Sequence, residues 1–537
     1  MLGQELVVLL GLAVLVCGGL AGKVRVSEPV LQLTAGVLLG ALPALRAVEF
    51  PPEVVLLLFL PALLFWESLN TSVREIRRSL RGIVLSSTLL VVATAAVVAA
   101  VAHAFGLPWG PAWVLGAALA PTDATALAAV ERLLPARNLT VLKAESLVND
   151  GTALVVYGVA VGVTVGEIDF DPGDVTGRFL LAYAGGAATG ALVAYLITRP
   201  AVTRWTAEPR LSNVLGLLTP FTAYLLAESF DASGVLAVVT CGLIYTRFGP
   251  RLTTATTRRL GQGFWDLLTY LLNGTLFVLV GLELQAAVRG LTSVDIAQGL
   301  LTVAVLTAVL VAVRIAFLFT TTYAIRALDR RPSQQLRRVG HRSRMVHGLA
   351  GFRGAVSLAV ALSVPSTLDS GAPFPERDTI VFVTTGVIIT TLVVQGLLLP
   401  GVVRWARLPR DTSLHAERRA AKITAHESAL AVLDEAAQEL GSDPEVVEEL
   451  RAEYERALRV LSAQADEDRA EDPASDAART LRHFIQLSEL RLALLVHTRT
   501  TVIQLRDENR IDDTVLRQIL HYLDDQEAQL VRPGAGN

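Results

Sequence analysis

PAWVLGAALAPTDATALAAVERLLPARNLTVLKAESLVNDGTALVVYGVAVGVTV, residues 111–165, is an apolar stretch interrupted twice by groups that do not belong among hydrocarbon. The first interruption is Pro121-Thr122-Asp123, set between runs of Ala, Leu and Val. The second is Glu145-Ser146-Leu147-Val148-Asn149-Asp150. Ionisable side chains at membrane depth are expensive and face a partner or a water-filled path. Pro121 has no amide hydrogen, so it leaves a gap in the backbone ladder beside Asp123. Carbonyls and hydroxyls released at such a gap coordinate small cations in broken transporter helices. The stretch therefore reads as a cation site that also holds a proton.

The rest of the chain agrees in class. It has 537 residues, 52% of them hydrophobic and 18% charged, with a mean hydropathy of +0.50. Length alone would suggest several soluble domains. Apolar runs repeated along most of the chain instead predict an all-α polytopic membrane protein. Cys17 and Cys241 sit in apolar runs, match no metal spacing and are not expected to pair. The N-terminus, MLGQELVVLLGLAVLVCGGLAG, lacks a basic leader and reads as a first span, not a cleaved signal. No nucleophile constellation, phosphate loop or nucleic-acid motif points to an enzyme or a nucleic-acid binder, and no cofactor is expected.

Thirteen apolar segments can be drawn, at about 4–22, 29–45, 52–68, 81–104, 111–132, 139–165, 176–198, 211–228, 232–246, 264–283, 296–325, 343–365 and 378–400. Charge gives their orientation. With the N-terminus outside, the cytoplasmic connections collect Lys23, Arg25, the arginines at 74–81, Arg132, Arg137, those at 199–210 and 247–259, and seven between Arg326 and Arg344. The outside connections are poor in basic residues; EIDFDPGD (167–174) and ESFD (228–231) are acidic. An excess of Lys and Arg in cytoplasmic loops is the expected bias. The character changes at Asp411. Residues 411–537 carry 26 acidic and 15 basic groups, a net charge of −11, which leaves +8 on residues 1–410. The first part reads as a membrane domain. The second, with apolar residues at helical spacing between charges, reads as a soluble helical cytoplasmic tail with ADEDRAEDPASD (465–476) as a loop. Packing or dimer stabilisation is a simpler role for that tail than ligand sensing.

Within the membrane domain the charged residues form one set. In a helix Glu145 lies over Asn149 and Ser146 over Asp150, on neighbouring strips of one face. Burial favours the protonated carboxyl of Asp150 and a nearby cation favours its carboxylate, so proton and cation compete for it. Asp123 either caps the second half of a kinked helix or serves as an ion ligand, with Thr122 offering its carbonyl or its hydroxyl. Arg314 stands alone in LTVAVLTAVLVAVRIAFLFTTTYAI. It needs a buried carboxylate, Glu145 first, unless it snorkels to an interface. Glu67 closes LPALLFWESLN and reads either as an interfacial glutamate or as part of the site. Gly351, Arg353 and Gly354 in GLAGFRGAVSLAVALSVP weaken a helix there, which suggests a second interrupted helix and an inverted repeat with the site between its halves.

These motifs, ESLVNDGTALV, APTDATA, LPALLFWESLN, FWDLLTYLLNGTLFVLVGLEL and GFRGAVSLAVALSVP, together resemble the monovalent cation:proton antiporter-1 family over about residues 5–405. That family holds the NhaP-type bacterial sodium/proton antiporters and the animal sodium/proton exchangers. The resemblance implies an NhaA-like fold of about thirteen transmembrane helices with two interrupted crossing helices. It also implies a homodimer in the cell membrane, with a dimer domain and a mobile core domain. On it, Asp150 carries proton and cation in turn and Asn149 supports it. Asp123 and Ser146 coordinate the ion, Thr122 offers its carbonyl, Glu67 lies at the site, and Glu145 pairs with Arg314. Related electrogenic antiporters carry two aspartates where this chain has Asn149-Asp150, which implies electroneutral exchange of one proton for one cation. The leading reading is antiport of cytoplasmic Na+ against external H+, serving pH and sodium homeostasis, with Li+ or K+ as other candidates. The alternatives are K+/H+ antiport, a channel, or a non-transporting sensor that signals through the tail. Sequence does not separate Na+ from K+, because oxygen ligands accept both.

Overall fold

The computed structural model describes residues 2–537 except 25, 43–54, 75, 78–82, 84, 124–133, 135, 168–170, 291–292, 329–339, 409–412, 468–475, 509 and 532–537. The residues after Asp123 in the first interrupted segment, four of the seven arginines between Arg326 and Arg344, and most of the 465–476 loop lie outside this set. The chain divides into two compact units, Met1–Arg410 and Asp411–Asn537.

The first unit is built of helices: α1 (Leu2–Val24), α2 (Glu28–Gly40), α3 (Leu60–Leu69), α4 (Leu90–Ala104), α5 (Trp109–Leu119), α6 (Ala136–Val165), α7 (Pro172–Ile197), α8 (Pro200–Trp205), α9 (Pro209–Glu228), α10 (Gly234–Leu252), α11 (Ala255–Gly290), α12 (Ser293–Leu328), α13 (His341–Leu349), α14 (Ala355–Leu362), α15 (Arg377–Thr390) and α16 (Gly396–Ala406). Three π turns, Val55–Phe59, Leu85–Leu89 and Thr391–Gln395, lead into α3, α4 and α16. No strand occurs among the described residues; Thr367 and Pro373 form an isolated bridge. Seven helical segments in the described residues are long and apolar enough to cross a membrane: Glu5–Val24, Ser87–Ala104, Leu139–Val165, Thr176–Ile197, Ala255–Gln285, Ile296–Ala324 and Arg377–Ala406. All thirteen apolar segments read from the sequence contain helix, but several are short or broken.

Two apolar cores share this unit. One gathers α4, α5, α12, α14, α15 and α16 around residues such as Leu115, Leu306, Leu358 and Val383. The other gathers α1, α3, α7, α9, α10 and α11 around Val14, Phe65, Val238 and Leu276. Helix α6 gives Leu142 and Tyr157 to the first core and Leu147 to the second, so it stands where they meet. Small residues set the closest helix approaches. A methyl group on Gly36 of α2 would overlap the Val278 carbonyl of α11, and one on Gly281 would overlap the Leu33 carbonyl.

The second unit contains α17 (Ser413–Ala431), α18 (Leu433–Leu440), α19 (Pro444–Glu467), α20 (Asp476–Asp507) and α21 (Asp513–Val531). Ion pairs tie its helices together: Arg451 reaches Asp434 at 2.6 Å, and Arg499 reaches both Asp524 and Glu527 at 2.6 Å.

Candidate ion-binding site

Two helices break at the same place in space. Helix α5 stops at Leu119, and Pro121, Thr122 and Asp123 follow without helical bonding. Helix α13 stops at Leu349, and residues 351–354 have no regular structure before α14 resumes at Ala355. The breaks are joined through their backbones: the Asp123 amide donates to the Phe352 carbonyl at 2.8 Å. Arg353 ties them again. Its Nε donates to the carbonyl of Leu119, the last residue of α5, at 3.1 Å. The final carbonyls of a helix have no partner within it, and a cation there satisfies them and opposes the helix dipole. Arg353 is 2% exposed, so this cap is made entirely inside the protein.

The glycines of the second break are required for space. Gly354 has φ −149°, which any residue adopts. A Cβ there, however, would overlap the Asp123 carboxylate. A Cβ on Gly351 would stand 2.8 Å from Cδ of Arg314.

Helix α6 supplies the facing wall. Glu145, Ser146, Asn149 and Asp150 are all buried, at 2–4% exposure. The Ser146 hydroxyl donates to the Thr122 carbonyl at 2.8 Å, and Asn149 Nδ2 donates to the Thr122 hydroxyl at 2.7 Å. Arg314 Nη2 meets Glu145 Oε1 at 2.7 Å, and its Nε donates to the His347 carbonyl at 3.1 Å. Arg314 is 3% exposed and does not snorkel. Its Nη1 also approaches the Thr122 hydroxyl at 3.4 Å. Thr122 thus carries partners on both oxygens, and a carbonyl with one donor keeps a second lone pair. Below Glu145, Ser87 of the second π turn donates to the Glu145 carbonyl at 3.2 Å and pins α6 from behind.

The remaining oxygens define the chemistry. Asn149 Oδ1 and Asp150 Oδ1 are buried and have no hydrogen-bond partner among the described residues. Glu67, half-buried on α3, lies within electrostatic reach of both Asp123 and Asp150, and of Lys143 on α6. Carboxylates crowded in an apolar enclosure repel one another, and either a proton or a cation relieves that repulsion. Arg314 pairs with Glu145, and Asp150, Asp123 and Glu67 lie within electrostatic reach of one another. The structure thus groups Thr122, Asp123, Glu145, Ser146, Asn149, Arg314, Gly351, Arg353 and Gly354 around the two breaks, with Asp150 on α6 and Glu67 on α3 within electrostatic reach of Asp123. Sequence reasoning missed the cap that Arg353 makes on α5 and the support that Ser87 gives α6. Both act on backbone groups distant in the chain, and a main-chain carbonyl partner leaves no signal in the sequence.

Two helix breaks joined beside buried carboxylates within apolar helices are an arrangement of membrane ion carriers. The chain belongs to the sodium/hydrogen exchanger family, whose transmembrane-domain model matches residues 11–405. It is 45% identical over 534 residues to a Mycobacterium bovis protein named as an uncharacterized Na(+)/H(+) exchanger, covering 99% of this chain and 97% of that one. It is 31% identical over 523 residues to the Escherichia coli protein named as uncharacterized Na(+)/H(+) exchanger YjcE, covering 94% of each. Its fold is similar to that of the sodium proton antiporter MjNhaP1 from Methanocaldococcus jannaschii, with a TM-score of 0.57, 19% identity, and coverage of 75% of this chain and 99% of that one.

Proposed function

We propose that this protein exchanges cytoplasmic Na+ for external H+ by alternating access, with Asp150 as the group that holds each in turn. The observation that carries this reading is the pair of unpartnered buried oxygens, Asn149 Oδ1 and Asp150 Oδ1, on the α6 wall that also binds Thr122 of the broken chain. Protonated, Asp150 neutralises itself. Deprotonated, it needs a cation, which takes further oxygens from Asp123, Ser146, the Thr122 carbonyl and Glu67. Asp123 stays ionised as a fixed ligand, and Glu145 stays neutralised by Arg314. One proton then moves for each monovalent cation, and no net charge crosses. Thirteen membrane crossings in an inverted repeat, a homodimer in the cell membrane, an outside N-terminus and a cytoplasmic tail from Asp411 complete the proposal. Its support is the paired breaks at residues 120–123 and 351–354 and the alternation of basic connections along the chain.

The test is cation-induced dequenching of a pH dye in proteoliposomes, with Na+, Li+ and K+ over a pH series. Exchange is expected with Na+, and apparent cation affinity should rise with pH as proton competition eases. Asp150→Asn should abolish it, because an amide does not trade a proton for a cation. Near wild-type exchange in a folded Asp150→Asn protein overturns the assignment. Once selectivity is known, an imposed potassium–valinomycin potential checks stoichiometry. A 100 mV potential does about 2.3 kcal/mol of work on each net charge moved, so a rate that follows the potential refutes one-for-one exchange.

A further inference from the structure

Between Asp378 and Arg404 the chain has no charged residue, and its polar side chains are five threonines and Gln395. Thr391 and Gln395 bound the π turn that joins α15 to α16, and both are buried. Thr391 touches the second break: its hydroxyl accepts from the Arg353 amide at 3.4 Å and donates to the Ile388 carbonyl at 3.0 Å. The neighbour of Arg353, Phe352, accepts from the Asp123 amide. Gln395 is 4% exposed. It begins a buried face that continues through Leu399 and Val403 into the apolar core shared with Val346 and Ala350, at the end of α13. Helix α16 packs against α13, so Gln395 stands behind the second break.

Four buried side-chain atoms of this segment have no hydrogen-bond partner among the described residues: the hydroxyls of Thr384 and Thr385 and both ends of the Gln395 carboxamide. The threonines need nothing from outside. A threonine hydroxyl in a helix can turn to the carbonyl four residues back, as Thr390 does to Gly386 at 2.7 Å. Gln395 has no such remedy. Turning Nε2 to a helix carbonyl would still leave Oε1, an acceptor, without a donor. Buried polar groups that the protein does not satisfy are met by ordered water or an ion. A cation would satisfy Oε1 alone and an anion Nε2 alone, and the segment holds no counter-charge for either. Water both gives and takes a hydrogen, so it alone fits both ends.

We propose that Gln395 is the anchor of a buried water site: one water accepts from Nε2, another donates to Oε1, and the pair joins the Thr391 hydroxyl, which keeps a second lone pair. The second break is thus hydrated from its α15 side by water that is not cargo. Arg353 holds the break at fixed points. Water re-forms its bonds as the backbone shifts, so residues 351–354 keep partners through a change of tilt. The site uses none of the residues assigned to the ion, and it stands whether or not the antiport reading does.

X-ray radiolysis of the full-length protein in detergent micelles tests this without transport. Irradiated water yields hydroxyl radicals that oxidise the nearest side chain, so a buried side chain is labelled fast only beside bound water. The probes are Leu392 and Leu399, which flank Gln395 on its buried face. The references are Leu276 and Leu279 of α11, equally buried in the other core. In the wild type the probes should be oxidised several times faster than the references. Gln395→Leu, which replaces the carboxamide by an apolar group, should bring them down to the reference rate. Probes no faster than the references in the wild type overturn the proposal, and that measurement needs no variant to fold. A folded Gln395→Leu protein whose probes keep the wild-type rate overturns it as well, since the water is then held by other groups.

Discussion

At Gly354 the missing side chain matters for its volume, since the space a methyl would take is filled by the Asp123 carboxylate. Gly354→Ala should leave the protein folded and push Asp123 from its place. Apparent Na+ affinity should fall about tenfold, one ligand's worth at roughly 1.4 kcal/mol, and an unchanged affinity across the pH series would count against Asp123 as a ligand. Glu145 and Arg314 make the opposite kind of contact, two charges 2.7 Å apart and both nearly enclosed. Removing one strands the other, at a loss of about 3–5 kcal/mol. Glu145→Gln and Arg314→Gln should each melt early, and the double variant should regain much of the loss; a double-mutant cycle without coupling would show that the pair contributes nothing. Asp123, Glu145, Asp150 and Arg314 were legible in the sequence because a charge inside an apolar run has few physical explanations. The partner choice of Arg314 was legible only as a preference among carboxylates. The cap of Arg353 on Leu119 was not legible at all, because a main-chain carbonyl leaves no mark in the sequence.

Among elements, the sequence located the helices better than it measured them. The apolar segments at 264–283 and 296–325 belong to helices of 36 residues each, α11 and α12. Hydropathy ends where charge begins, whereas helix continues through polar residues whose backbone groups still pair. The breaks at Pro121 and around Gly351–Gly354 were legible, since proline and glycine interrupt the hydrogen-bond ladder wherever they fall. The contact of α2 with α11 was not, because a glycine in a membrane helix does not say which backbone it admits. That contact makes its own prediction. Gly36→Leu forces a side chain against the Val278 carbonyl and should destabilise the protein by about 1–3 kcal/mol or more. Gly22→Leu is the control, as nothing lies within 4 Å of a methyl there. Equal melting temperatures for the two variants would mean that α2 and α11 separate without loss.

For the whole molecule, the shift from basic and apolar to acidic composition falls at the boundary between the two compact units, at Arg410 and Asp411. The residues assigned to the site all belong to the first unit, so a chain truncated after Arg410 should exchange ions in liposomes at close to the full rate. Loss of exchange by purified, folded truncated protein would make the second unit part of the transport machinery. The unpartnered oxygens of Asn149 and Asp150 have a consequence at this scale too. A buried acceptor without a donor costs about 1–3 kcal/mol, and more when charged. On the proposed mechanism the bare carrier is therefore its least stable form, while the proton-loaded and sodium-loaded forms are both relieved. A carrier that rarely crosses empty seldom slips. On that mechanism the same two oxygens that attract the cargo also guard the cell's ion gradients against futile leakage, and the tightness of coupling is set by how completely they are hidden from water.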